Sequence, residues 1–225
     1  MDISAIRATR RRALGFLCGA IAILWSCWQP AAAAELSGRA LVDALRSGGL
    51  TIYFRHTQTD WSKIDNVNAY GDWRSCDADK IRQLSDAGRE TAKAVGQAIR
   101  ALGVPVSKVL SSEYCRAKET VALMELGPVE TTPDIMNLRS ADYVGGRDAA
   151  VARIRKIFAA PVAPGGNVVI GAHGNLIQSS TSIYPGEGGS AIFRADASAE
   201  HGFTPVARLD PKDWIALARA FASGG

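Results

Sequence analysis

Thr51-Ile52-Tyr53-Phe54-Arg55-His56 is a run of β-branched and aromatic residues that ends on a guanidinium and an imidazole. With no polar alternation before Arg55, it reads as a strand buried on both faces, the kind that fills parallel sheets. Two further runs repeat the arrangement. Lys108-Val109-Leu110 leads into Ser111-Ser112 with Arg116 just beyond, and Val168-Val169-Ile170-Gly171-Ala172 leads into His173-Gly174-Asn175. Ligands of open α/β sheets bind beyond the carboxyl ends of the strands. Arg55, His56, Arg116 and His173 are therefore expected at one sheet edge, although 117 positions separate the two histidines. The chain has three histidines, and two of them stand at such strand ends.

Working outward, Leu36 to Arg46 has apolar residues at helical spacing and stops at Gly48-Gly49. A long polar loop, Thr57 to Gln83, contains Trp61, Tyr70, Trp73 and Cys76. Loops of that length in compact domains are usually functional. Ser85 caps a predicted helix over Asp86–Leu102, and Glu113–Leu126 and Arg147–Ala160 read as two more. Val129–Thr131 is a short predicted strand, Ala191–Ala195 and Phe203–Leu209 a β pair, and Lys212–Ala222 a last helix. Strand and helix in alternation predict a three-layer α/β/α sandwich with a mainly parallel sheet.

The first 34 residues are expected to be an export signal rather than part of the fold. Arg7 and Arg10 to Arg12 form a basic start, Ala13 to Trp28 is apolar, and Ala31 to Ala34 supply a small-residue cleavage site. Thr9-Arg10-Arg11-Arg12-Ala13-Leu14 also resembles a twin-arginine signal, so the export route stays open. An uncleaved anchor is the other reading, but the apolar part falls short of the roughly 20 residues of a membrane span. This segment holds four of the 26 basic and one of the 22 acidic side chains, leaving 22 against 21. Residues 35–225, expected as a single domain, are thus about neutral, and the basic balance gives no support for nucleic-acid binding. Cys18 and Cys27 leave with the signal. Cys76 and Cys115 remain, an even pair in an exported chain, either bridged across a loop of about 40 residues or left as two thiols. No cysteine or histidine spacing matches a zinc site.

Taken together, Arg55-His56, then Ser111-Ser112-Glu113-Tyr114-Cys115-Arg116-Ala117-Lys118-Glu119-Thr120, then His173-Gly174-Asn175, resemble the histidine phosphatase superfamily. That is the fold of the cofactor-dependent phosphoglycerate mutases. The resemblance runs from Leu50 to about Ile177 and implies a phosphohistidine intermediate. His56 would be the nucleophile, splitting one hydrolysis into two transfers. Arg55 and Arg116 would offer permanently charged forks to the phosphoryl oxygens, with His173 as a further contact. No metal and no cofactor is implied. Ser112 is placed to cap the helix carrying Arg116, and Gly174 to let the backbone approach phosphate. His201, before Gly202 at the edge of the β pair, reads as a surface residue. Trp61 and Trp73 fit either a pocket floor or ordinary packing.

Two residues depart from the pattern. Thr57 stands where the family often has glycine. Met136-Asn137-Leu138 puts Leu138 where Leu-Asn-Glu would carry the general acid. Asp60, Glu113, Asp134 and Asp142 are the possible substitutes, or there is none; acid catalysis is typically worth ~10²–10⁴-fold. Without it, leaving groups that need little protonation are favoured. The expectation is a periplasmic or secreted, metal-independent phosphatase acting on a small phosphomonoester or phosphoramidate. The alternative is a weakly catalytic module that binds phosphorylated ligands of the cell envelope. Specificity is expected in the Thr57–Gln83 loop and in the region after Leu138.

Overall fold

The computed structural model describes residues 35–222; the expected export segment, with Cys18 and Cys27, lies outside them. The helix α1 (Gly38–Ser47) leads into β1 (Thr51–Arg55), followed by the long loop and α2 (Asp86–Ala101). Then come β2 (Val106–Ser112), α3 (Cys115–Leu123), β3 (Val129–Thr132) and α4 (Arg147–Ala159). The chain continues through β4 (Asn167–Ala172), α5 (Gly174–Thr181), β5 (Ser190–Ala195), β6 (Phe203–Leu209) and α6 (Pro211–Phe221).

The six strands form one sheet in the order β3-β2-β4-β1-β5-β6. β3, β2, β4 and β1 run parallel, and β5 and β6 complete the edge as an antiparallel pair. The mainly parallel α/β/α sandwich expected from the sequence is therefore the architecture observed. β1 shows why its sequence is apolar throughout. Ile52 and Phe54 join Leu41, Val95, Ile99 and Trp214 on the face covered by α1, α2 and α6. Tyr53 points to the other face, with Ile154 and Phe158 of α4 and Leu176 of α5. Both faces of the strand are dry, so alternation has nothing to report.

Close approach of α3 to β4 is built on Gly171. A Cβ there would come within 2.5 Å of Val121 Cγ1 and 3.0 Å of the Ala117 carbonyl oxygen. α5 was not anticipated, because its few apolar residues set no long pattern. α3 starts two residues later and ends three residues earlier than the expected Glu113–Leu126. Tyr114 is extended and buried, with its hydroxyl 2.6 Å from Ser140 Oγ.

The Thr57–Gln83 loop is irregular apart from a single helical turn at Asp72–Arg74, yet it has a small core of its own. Trp73 and Ile81 pack with Tyr114, Ala117 and Met136. The Cys76–Cys115 disulfide, with Cα atoms 5.4 Å apart, ties this loop to the start of α3. Trp73 is thus packing, while Trp61 is exposed. His201 is exposed on the surface as expected.

Candidate active site

β1 and β4 are neighbours, and Arg55 pairs in register with Ala172. The next residue on each strand is a histidine, so His56 and His173 meet with ring centroids 5.7 Å apart. The His56 amide closes the gap by donating to the Ala172 carbonyl at 2.9 Å. Arg55, His56 and His173 line one cavity of about 330 Å³ beyond the strand ends.

His56 is buried, and its Nδ1 lies 2.9 Å from the Thr57 carbonyl oxygen. A carbonyl only accepts, so the proton of the neutral ring sits on Nδ1 and Nε2 keeps its lone pair. Burial, and then the Arg116 charge, hold the His56 pKa well below the ordinary histidine value, so the ring is neutral near pH 7. His173 is buried too, and the same two causes depress its pKa in the same order. Tyr53 fixes His173 by its backbone: the phenol donates to the His173 carbonyl at 2.8 Å and accepts its amide at 2.9 Å. Burial raises the Tyr53 pKa, which keeps that donor protonated. His173 Nε2 lies 2.9 Å from Ser112 Oγ. Ser112 therefore does not cap α3. Its oxygen takes the Tyr114 amide at 3.3 Å and serves the imidazole instead.

Arg116 occupies a different place from the one expected. It is fully buried and does not line the cavity. Its fork grips Asp65 through Nη1–Oδ1 at 2.8 Å and Nη2–Oδ2 at 2.9 Å, and Asp65 does line the cavity. Arg55 donates to the Pro185 carbonyl at 3.1 Å and has Glu187 Oε1 at 3.7 Å. Gly174 lines the cavity and also leaves room for this arginine. A Cβ at 174 would lie 2.7 Å from the Tyr184 ring and 3.1 Å from Arg55 Cδ.

Three further groups were not found from the sequence. Arg82, half-buried at the cavity wall, has its guanidinium carbon 3.8 Å from the centre of the Trp61 ring. Asp65 and Arg82 both belong to the long loop, where no periodicity marks a position. Glu187 stands in Gly186-Glu187-Gly188-Gly189, and a lone carboxylate in a glycine run was a usable signal. It accepts from Thr59 Oγ1 at 2.9 Å and Trp61 Nε1 at 3.3 Å, and lies 4.0 Å from His56 Nδ1. The loop holding it clasps β1, since Gly188 donates to the His56 carbonyl and Gly189 accepts the Arg55 amide, each at 3.0 Å.

None of the carboxylates considered as a general acid faces the cavity. Asp60 accepts from its neighbour Ser62, and those bonds lower its pKa. Glu113 is held by Trp73 Nε1 at 2.8 Å and by Arg74. Asp134 pairs with Arg153 at 3.2 Å, and Asp142 is exposed away from the wall. Among the described residues, no cluster of three or more histidine, cysteine or acidic side chains is arranged to hold a metal ion.

Comparison with known proteins gives consistent results. No curated protein matches this chain in sequence. The mycobacterial glucosyl-3-phosphoglycerate phosphatase aligns with 18% identity and a TM-score of 0.48, over 70% of this chain and 96% of its own. The protein histidine phosphatase SixA complexed with tungstate gives 18% and 0.49, over 73% and 98%. A phosphoserine phosphatase mutant from Entamoeba histolytica gives 14% and 0.48, over 73% and 98%. The model of the histidine phosphatase superfamily, branch 1, matches residues 52–163, a stretch that holds Arg55, His56 and Arg116 and stops short of His173. With β4 returning His173 to the ring of His56, this chain belongs to the histidine phosphatase superfamily.

Proposed function

We propose that this protein is an exported, metal-independent phosphatase that passes a phosphoryl group through His56 to water. In the first step the Nε2 lone pair forms a bond to phosphorus as the bond to the leaving oxygen breaks. The leaving oxygen takes that electron pair and then a proton from solvent. In the second step water attacks phosphorus, the N–P pair returns to the ring, and inorganic phosphate departs. With Asp65, the carboxylate at the cavity wall, held by Arg116, positioning and charge supply the rate. Substrates with good leaving groups, such as aryl phosphates and phosphoramidates, are accordingly the fastest.

One observation carries this reading. Of the six buried side-chain nitrogens and oxygens without a hydrogen-bond partner among the described residues, three belong to the cavity-lining Arg55, Arg82 and His173. Buried polar groups left unpaired are costly, and three on residues that line one cavity fit an anion that completes them. His173 Nδ1 is the unpartnered nitrogen of a ring whose Nε2 lies 2.9 Å from Ser112 Oγ. Glu187, on the proton side of His56, favours the positive charge the ring gains as Nε2 bonds phosphorus. Export is supported by the layout of residues 1–34 and is compatible with the Cys76–Cys115 bridge. Among the described residues no helix is long and apolar enough to cross a membrane.

Rapid mixing with a radiolabelled aryl phosphate, followed by alkaline quench, tests the proposal. Wild type is expected to carry an acid-labile label. His56→Ala, folded by circular dichroism, is expected to show neither label nor turnover. Chelation with EDTA leaves the wild-type rate unchanged. Turnover persisting in His56→Ala overturns the assignment, and saturable binding without label points to the phospho-ligand module instead.

A further inference from the structure

The cavity carries more positive charge than one reacting phosphoryl group uses. Arg55, Lys63, Arg82 and Arg139 line it, against Asp65 as the one lining carboxylate, and Asp65 is already committed to Arg116. Lys63 is partly offset by Asp79 at 2.6 Å. Arg82 and Arg139 form no ion pair among the described residues and neither side chain donates a hydrogen bond, although Asp65 and Glu187 act on Arg82 from a distance. Arg82 stacks on Trp61 and keeps a buried Nε without a partner. Burial and then the neighbouring Arg116 depress its pKa by more than Asp65 and Glu187 raise it. An arginine held in this state is stabilised by an incoming anion.

Both arginines are anchored beside the catalytic centre by their backbones. The Arg82 amide donates to Asp65 Oδ1 at 3.1 Å, and its carbonyl accepts Arg116 Nη1 at 3.1 Å. Its backbone is thus tied to Arg116 directly and through one carboxylate. On the other wall, the Arg139 amide donates to Asn137 Oδ1 at 3.0 Å. That same oxygen accepts Asn175 Nδ2 at 2.7 Å, and Asn175 follows His173 by two residues. Arg82 comes from the long loop and Arg139 from the short helix at Leu138–Val144, two segments that no strand aligns. Two arginines whose backbones are tied to His173 and Arg116, and whose guanidinium groups are unpaired at the cavity wall, define a second anion position.

Resting on the phosphatase reading, we propose that the natural substrate carries a second phosphoryl group, held by Arg82 and Arg139 while the first lies against His56. The cavity, about 330 Å³, is far larger than one phosphoryl group fills. The substrate class is then a small bisphosphorylated molecule.

The test uses linear alkanediol bisphosphates of increasing length, each against the monophosphate of the same diol, on the processed protein. For at least one length, kcat/KM for the bisphosphate is expected to exceed that of the monophosphate by about tenfold or more, beyond the statistical advantage of two equivalent ends. Arg139→Gln, at an exposed position that leaves the core intact, is expected to collapse that ratio. Ratios no greater than the statistical advantage at every length overturn the proposal, as does a ratio that survives Arg139→Gln. Failure of the phosphatase reading looks different, because then neither compound releases phosphate and His56 takes no label.

Discussion

At the scale of single residues, the nucleophile is defined by a carbonyl oxygen rather than by another side chain. Thr57 O holds the His56 proton on Nδ1, and this works with any side chain at 57, which explains how the usual glycine is dispensable there. The Thr57 side chain turns away from the cavity and lies 3.3 Å from Thr120 Oγ1. Glu187 adds what the carbonyl cannot, a full negative charge 4.0 Å from the same nitrogen. Its influence grows as the ring becomes cationic in the transition state, so it belongs to kcat more than to KM. Glu187→Gln keeps the shape and one acceptor oxygen, for Thr59 or for the exposed Trp61, and removes the charge. The expected result is a fall in kcat of about tenfold, equivalent to ~1.4 kcal/mol, with KM nearly unchanged. Single-turnover measurement of phosphoenzyme formation checks it; a loss confined to KM would show that Glu187 merely shapes the entrance.

At the scale of elements, the regular parts were legible and the wall of the site was not. β1 and β4 could be read because strands dry on both faces are written in β-branched and aromatic residues, and each ended on a histidine. Asp65, Arg82 and Glu187 could not be placed, because loop positions obey hydrogen bonds made at a distance rather than any period. Asp65 reaches Arg116 across 51 positions, and Thr59 reaches Glu187 across 128. The loop that carries Asp65 and Arg82 is held by the small core around Trp73 and by Cys76–Cys115, whose second cysteine precedes Arg116. Closing a loop of 39 residues' separation stabilises by about 4 kcal/mol in the chain-entropy model. The double variant Cys76→Ser/Cys115→Ser is expected to melt about 8–16 °C lower. Its KM should rise, because Asp65 and Arg82 lose their tether. Calorimetry under oxidising conditions checks the first part, and an unchanged melting temperature would mean that the bridge does not form in solution.

At the scale of the whole molecule, a site that needs two neutral imidazoles in a dry sheet edge sets how the fold responds to acid. Folding forces both rings into a setting where their charged forms are penalised, by burial first and by Arg116 second. The unfolded chain titrates near 6.5 and so binds protons that the folded protein refuses. Stability is therefore full above about pH 7.5 and falls as pH drops through 6.5, continuing until the depressed folded values are reached. Between pH 7.5 and 5.5 both histidines add to that loss, because each takes up a proton when unfolded that it refuses when folded. The melting temperature should therefore drop over the interval. Most carboxylates titrate below it, which leaves the two rings as the main contributors. The double variant His56→Asn/His173→Asn removes both titrations while keeping polar side chains of similar reach. Its melting temperature is expected to change far less over the same range. Parallel slopes for wild type and variant would place the acid sensitivity elsewhere in the fold and show that these two rings accept protons as freely folded as unfolded.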